Sequence, residues 1–499
     1  MEKLLLTGNN LTIEKVVQVA KDFVPVEISS ETKERLTAGR QLVFDLVDAD
    51  FPIYGFNVGV GWNKDRKVFK EFFAQYNANL IRSHSIGVPP YASIEDTRAV
   101  MLARLGTMLV GCTGVAPEIP EMYVQMLNKG IHPLIPERGS VGEGDIGLLS
   151  HIGLAIIGEG EVIYNGKQMP SKEAFERAGL KPLTLGPKDG LAIVSSNAMG
   201  AGQAAVVLKE VEDLLKMADV IYALSLEGVN GSIAPLDERV QRLRLYKGQQ
   251  KIAKDVLGYL QGSYLFGTDR GKAVHDPLCF RDYSQVHGAV QEMLEYAKER
   301  LEVQLNTTED NPCLLLEEHT IVPSANFEPL NWVLPIESLS IAMSHVSRMS
   351  CYRILKLSDP DFTNLPRFLS PAVDVLGFAT VQKTFSALDA EIRHLCNTSS
   401  MDSFSLAGDM EDRGCNTTYV VQNLRKIIDN LRYIFALEMI HAAQAVDYRK
   451  GKSTGIRTSR LHEAIRERIS FYDKDRNITK DILAMYDLIT GGKILDFTK

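Results

Sequence analysis

No two cysteines in this sequence are spaced as Cys-x-x-Cys, and no cluster of Cys and His has the spacing of a zinc site. The six cysteines (112, 279, 313, 351, 396 and 415) lie far apart and read as reduced, mostly buried thiols of a cytoplasmic protein, which excludes a disulfide framework. Excess charge is also missing. Fifty-five Lys and Arg against 63 Asp and Glu leave a net charge of −8, which makes no electrostatic case for nucleic acid or an anionic membrane. Short basic clusters such as Arg449, Lys450 and Lys452 read as solvated faces. The N-terminal MEKLLLTGNN has too short an apolar run for a signal peptide, and no apolar run approaches the roughly 20 residues of a membrane span. Internal repeats and low-complexity segments are absent. A soluble, cytoplasmic protein is expected.

What is present is a chain of 499 residues, 45% apolar and 24% charged, able to bury a large core in one large or two closely packed domains. Thr12 before Ile13-Glu14-Lys15-Val16-Val17, and Ser29-Ser30-Glu31, are helix-opening signals. Residues 54–61, YGFNVGVG, read as a mobile loop displaying one aromatic. The pattern is helical from Ile94 to Val115, and Glu161–Met169 (EVIYNGKQM) sets Asn-Gly between alternating residues, as a β-hairpin does. Beyond about residue 197, five segments have a period near 3.6 and almost no proline: Ala198–Leu226, Tyr283–Leu305, Pro329–Leu357, Thr380–Leu395 and Thr417–Val446. Helices of this length pack as a bundle, and small residues such as Ala198, Gly200, Ala201, Ala204 and Ala205 let backbones approach. The predicted fold is mainly α: residues 1–196 form helices with minor β structure and carry loops, 197–450 form a long-helix bundle, and 451–499 a C-terminal helical segment.

The sharpest local feature is Gly139–His151, GSVGEGDIGLLSH. Its glycines allow backbone conformations closed to other residues, and the apolar run Ile146–Ile157 behind it predicts a buried helix. On composition alone this is a tight turn opening a core helix.

The same stretch resembles the loop that carries the prosthetic group in the histidine and aromatic amino-acid ammonia-lyase family. The family pattern is GSVGASGDLAPL, and its Ala-Ser-Gly cyclises to an electrophilic methylidene-imidazolone. Gly139-Ser140-Val141-Gly142 and Gly144-Asp145 match the flanks, while Glu143 alone stands in place of Ala-Ser. Further matches follow in order. Tyr54-Gly-Phe-Asn-Val-Gly resembles YGxNTGFG, Asn79-Leu80 with Ser83-His84 resembles NLxxSH, and Asp276-Pro277 with Arg281 resembles DPxxxR. Asp310-Asn311-Pro312, Ser324-Ala325-Asn326-Phe327 and Glu411-Asp412 resemble TDNP, GGNF and QED. On these collinear segments the chain is identified as a member of that family.

The resemblance implies the family fold, a homotetramer with active sites shared between subunits, and roles for individual residues. Tyr54 becomes the base, with Asn57 in the same loop. Arg281 holds the substrate carboxylate, His84 and Glu411 suit an imidazole-type ring, and Asn311 and Phe327 belong to substrate-binding segments. Departures cluster around the missing electrophile. The asparagine that helps bind the prosthetic group falls at Ser195, with Asn197 two residues on; Leu278 replaces a pocket tyrosine, Lys383 an apolar residue, and Met410 the glutamine.

In the family the electrophile takes up the lone pair of the substrate amine. A quaternary ammonium has no lone pair and departs unaided as a tertiary amine. A base, a carboxylate clamp and a ring-binding site are enough to eliminate it, and those are retained. The expected activity is a carbon–nitrogen lyase without methylidene-imidazolone, other cofactor or metal, removing trimethylamine from a histidine-derived betaine (ergothioneine to thiourocanate). Tyr54, Lys383 and Glu411 are its candidate catalytic residues, and Glu143 is the candidate neighbour of the trimethylammonium. As a base Tyr54 needs a pKa below the usual value near 10, lowered by a cation or a backbone dipole. Alternatives stay open: a lyase for another aromatic betaine, or an inactive homologue kept as a scaffold. Lys383 alone could snorkel, Glu411 be merely solvated, His84 be a satisfied core histidine, and Glu143 only bridge a shortened turn.

Overall fold

The computed structural model describes residues 2–46, 52–267 and 275–498. It is mainly helical, and four helices dominate it: Ala198–Gly228, Tyr283–Leu305, Leu330–Leu357 and Thr417–Tyr448. At ~1.5 Å per residue the longest runs about 48 Å. Tyr283–Leu305 coincides with its predicted span, and the predicted Thr380–Leu395 forms Gln382–Leu395. The helix predicted to reach Val115 stops at Leu109, ahead of Gly111 in the left-handed region at φ +97°.

Local signals act as expected. Thr12 Oγ1 accepts from the Lys15 N–H at 3.3 Å, and Ser29 Oγ from the Thr32 N–H at 3.2 Å. Glu161–Tyr164 pairs antiparallel with Lys167–Pro170 across Asn165 and Gly166, both at positive φ (51° and 73°), the requirement of a type I′ turn. Ile131–Pro133 joins as a third strand, with Ile131 opposite Tyr164.

Packing divides the chain into two compact units. One comprises Met1–Lys209, Ala297–Ile336 and Thr398–Gln422, and the other Glu210–Tyr296, Glu337–Asn397 and Asn423–Lys499. The consecutive segments 1–196, 197–450 and 451–499 do not coincide with these units, because each of the four long helices contributes residues to both. All strands among the described residues lie in the first unit, including a hairpin of Cys313–Leu315 with Thr320–Val322 that the sequence did not suggest. In the second unit the buried Arg353 holds Glu438 in a two-pronged ion pair, Nε to Oε1 at 2.6 Å and Nη2 to Oε2 at 2.8 Å. Ser225 Oγ adds a bond to the same carboxylate at 2.8 Å, so the desolvated charges are paired and hydrogen-bonded.

One sequence expectation is corrected. The stretch 189–228 is long and apolar enough by composition to cross a membrane. Its most apolar window is wholly buried within the protein, as in a core helix that is apolar all round.

Small residues on the helix Ala198–Gly228 permit close contact with the helix Ile94–Leu109. A Cβ on Gly202 would stand 2.6 Å from both Cα and N of Val100, atoms of rigid backbone. Gly202→Ala gains about 1 kcal/mol in helix propensity but forces overpacking, which costs about 1–3 kcal/mol. A lower thermal midpoint by circular dichroism is expected. A raised midpoint would show that the two backbones separate freely.

Candidate active site

The glycine-rich turn is built around a buried carboxylate in the first unit. Asp145 Oδ2 accepts from the Gly200 N–H at 3.0 Å and Oδ1 from Ser140 Oγ at 2.6 Å, while its own N–H donates to the Ser196 carbonyl at 2.6 Å. Gly200 lies in the first turn of the helix Ala198–Gly228, so the carboxylate sits at the positive end of the helix dipole. Burial nevertheless pushes the Asp145 carboxyl up to about 6, against these hydrogen bonds. Glu309, also buried and likewise pushed to about 6, accepts from the Asn197 N–H at 3.0 Å and from Ser196 Oγ.

Asn197 ties this helix end to the turn. Its Oδ1 accepts from the Gly144 N–H at 2.9 Å, and its Nδ2 donates to the Phe327 carbonyl. Ser195, where the family asparagine falls in sequence, ends the preceding helix with its N–H on the Leu191 carbonyl. On the other side, the Cys415 and Asn416 N–H groups both donate to the Val141 carbonyl, at 2.9 and 2.7 Å. Gly142 has φ +87°, and a Cβ there would stand 2.7 Å from the Thr417 nitrogen, so only glycine fits.

Inside this clamp lies Glu143. Its carboxyl faces that of Glu328, and Oε1 is buried with no partner among the described residues. Burial and the adjacent Glu328 charge push the Glu143 carboxyl up to about 8, with Arg413 opposing them. Glu328 goes the other way. Hydrogen bonds from Arg413 Nε (2.7 Å) and the Leu330 N–H (3.0 Å) lower it despite its burial. Carboxyl oxygens of both glutamates and Cys415 Sγ lie within 4.8 Å of one another. Burial and the two carboxylates raise the Cys415 thiol, which donates to the Gly142 carbonyl at 3.5 Å. A thiol binds a metal ion as thiolate, so metal binding here would have to displace the Cys415 proton. Glu328, Arg413 and Cys415 were missed by sequence reasoning, although Glu328 follows Phe327 directly and Arg413 and Cys415 follow Glu411-Asp412.

The methylidene-imidazolone does not fit these residues. Closing that ring needs an alanine-serine-glycine tripeptide, and Glu143 follows Gly142 directly. Ser140, the turn's one serine, is followed by Val141 and has its hydroxyl on Asp145.

A second cluster of the same unit surrounds Tyr54. The Gly61 N–H donates to Tyr54 Oη at 2.7 Å, and Glu411 Oε1 stands 3.8 Å from where a Cβ on Gly61 would be. The expected lowering of the Tyr54 pKa is corrected here. Burial raises it, the Glu411 charge adds to the rise, and the Gly61 N–H, the anticipated backbone dipole, offsets only part. The phenol is neutral near pH 7. Tyr76 is a charge neighbour of Tyr54 and is also raised, chiefly by burial. It lines a cavity of about 430 Å³ together with Val60, Asn79, Leu80, Ser83 and His84. The ring of His84 donates from Nδ1 to the Leu80 carbonyl at 2.8 Å, which leaves Nε2 as its second polar atom.

Other sequence-derived residues have local partners. Asn57 Oδ1 accepts from the Ile53 N–H at 2.6 Å, and Asn311 Oδ1 from the Ser324 N–H at 2.9 Å, so both brace their own loops. Phe327 is half-buried and joins the turn through its backbone carbonyl. Arg281 and Lys383 belong to the second unit. Arg281 ends the short helix Leu278–Arg281 and is half-buried beside Asp282, whose carboxyl burial raises and Arg281 opposes. Lys383 is exposed in the first turn of Gln382–Leu395.

Comparison with known proteins agrees with this architecture. The family described as "Aromatic amino acid lyase" matches residues 11–467. A curated histidine ammonia-lyase of Treponema denticola is 36% identical, over 99% of this chain and 98% of the relative. Among solved structures, ergothionase from Treponema denticola in complex with desmethyl-ergothioneine sulfonic acid superposes with a TM-score of 0.97 at 48% identity, covering 99% of this chain and 100% of that one. Histidine ammonia-lyase from Trypanosoma cruzi superposes with a TM-score of 0.90 at 27% identity, covering 100% and 95%.

Replacing Asn197 by Ala strands the Gly144 N–H and the Phe327 carbonyl, at about 1–3 kcal/mol for each unsatisfied buried group. Hydrogen exchange in peptides spanning Gly139–His151 is expected to quicken by roughly tenfold or more, since 1.4 kcal/mol is a factor of ten. Unchanged protection would mean that the turn is held without Asn197.

Proposed function

This chain belongs to the aromatic amino acid lyase family, and we propose that within it the protein eliminates trimethylamine from a histidine-derived betaine, converting ergothioneine to thiourocanate without a methylidene-imidazolone. The observation that carries this reading is Glu143, a carboxyl in the place where the family builds its electrophile. Similarity to ergothionase along the whole chain supports it. The histidine ammonia-lyase name of the curated relative favours plain histidine as a second reading, but a primary amine needs the electrophile to become a leaving group.

In the proposed reaction a base removes the β-proton next to the ring. The C–H electron pair becomes the new double bond as the Cα–N bond breaks, and nitrogen leaves with its pair as neutral trimethylamine. Tyr54 is the assigned base. Its phenol is neutral in the ligand-free protein, and the positive charge of the bound substrate, with the Gly61 N–H, favours the phenolate. Arg281 is assigned the carboxylate, for which a guanidinium offers two parallel donors. His84 Nε2 and Glu411 are assigned to the ring N–H groups. Lys383 is assigned the negative charge that grows on the thione ring, where a fixed cation stabilises the transition state more than the ground state. Asn57, Asn311, Phe327, Ser195 and Asn197 support the surrounding loops. The working form is a soluble, cytoplasmic homotetramer whose sites draw on several subunits.

Purified protein should turn ergothioneine into a conjugated acrylate chromophore and leave histidine untouched. Ammonia release from histidine would sink the proposal. The tryptic peptide containing Gly142-Glu143-Gly144 should have its unmodified mass, and a mass lighter by the waters lost in ring formation would contradict the cofactor-free reaction. Tyr54→Phe deletes only the hydroxyl and should lower turnover by on the order of 10² or more.

Lys383→Met and Arg281→Met separate two roles. The first keeps an apolar stem and should lower kcat more than it raises KM, whereas the second should damage both. An intact kcat in Lys383→Met would return that side chain to a solvent-facing role.

A further inference from the structure

We propose that Glu143 and Glu328 hold one proton between them in the empty site and release it when a quaternary ammonium group binds, so that the pair becomes a dianion matched to a permanent cation. This deepens the reading above, because it takes from that reading the place of the trimethylammonium beside the turn.

The geometry begins with two carboxyls whose oxygens lie within 4.8 Å of each other in a largely buried setting. Two negative charges that close and poorly solvated repel each other, so one carboxyl keeps its proton. Arg413 decides which residue carries it. Its guanidinium contacts both oxygens of Glu328, Nε to Oε2 at 2.7 Å and Nη2 to Oε1 at 3.4 Å, and the Leu330 N–H adds a third donor. Glu328 is thereby kept ionised, and the proton rests on Glu143.

Every other charged group around the pair leaves that assignment in place. Burial and the Glu328 charge raise the Glu143 carboxyl, while Arg413 and the Cys415 thiol only moderate the rise. The thiol remains protonated and points its donor at the Gly142 carbonyl; Asp145, the remaining acid nearby, acts on Cys415 and is bound to Ser140 and Gly200. An independent observation marks the ligand. Glu143 Oε1 is a buried acceptor with no donor, at the position where the family carries its prosthetic group. A tetraalkylammonium group offers positive charge without an N–H, which suits an acceptor that no donor reaches. When the C–N bond breaks, the ligand charge vanishes and the dianion takes up a proton again.

The test uses the whole protein without substrate and tetramethylammonium chloride as the probe. Titration calorimetry at pH 7 in two buffers of different ionisation enthalpy counts the protons exchanged on binding. Release approaching one proton per site is expected. Affinity should rise about tenfold per pH unit up to about 8, where Glu143 ionises unaided, and then level off. In Glu328→Gln the neighbouring charge is gone, so binding should persist with little proton release and a flat pH dependence, while Glu143→Gln should lose both release and most affinity. Absence of binding, binding without proton release in the unaltered protein, or unchanged release in Glu328→Gln would each overturn the proposal. Ergothioneine turnover is assayed on the same preparation. Turnover without linked release removes this inference alone, whereas release without turnover removes the betaine-lyase reading and leaves the cation-linked proton standing.

Discussion

The carboxylate of Asp145 on the first turn of the helix Ala198–Gly228 is the contact on which the first unit depends. A helix N-terminus presents N–H groups with no partner inside the helix, and a buried end needs acceptors from elsewhere. Asp145 supplies one and Glu309, through the Asn197 N–H, supplies another. Both carboxyls are pushed up to about 6 by burial, so these hydrogen bonds and the helix dipole are what make their ionised forms tolerable. The glycine-rich turn therefore cannot shift without uncovering both a charge and a helix end.

That anchorage has a chemical consequence two residues earlier. Asp145 is surrounded by donors, whereas Glu143 on the same turn meets another carboxyl and leaves one oxygen unpaired. One acid of the turn is committed to architecture, and the other remains available to a ligand. Where the family pattern has Ala-Ser, this turn carries a single glutamate, an ionisable group held in a frame of hydrogen bonds to the backbone of the turn. An electrophile serves an amine that has a lone pair. In the proposed reaction, a carboxyl at that place would serve a nitrogen that has positive charge and nothing to donate.

Burial also governs the Tyr54 cluster. The phenol is raised by desolvation and by Glu411, and the Gly61 N–H holds back only part of that rise. Tyr54 and Glu143 thus both favour their protonated forms in the empty protein, and a cationic ligand shifts both in the same direction, toward the charged form. In the proposed reaction, charge brought in by the ligand would set their state.

The sequence by itself determined what is local or linear. A period of 3.6 and small residues placed the long helices to within a few residues, and Asn165-Gly166 placed the hairpin because a type I′ turn asks for positive φ at both positions. Collinear motifs marked the family and exposed Glu143 as the departure, since order along the chain needs no coordinates. Only the tertiary structure decided which residues meet. Asn197, not Ser195, holds the turn, because Ser195 ends the preceding helix while the Asn197 side chain reaches both Gly144 and Phe327. Glu328, Arg413 and Cys415 converge on Glu143 from distant parts of the chain, and nothing in their spacing announces it. The direction of the Tyr54 shift likewise depends on burial and on the distance to Glu411 and Gly61, which are properties of packing that no stretch of sequence carries.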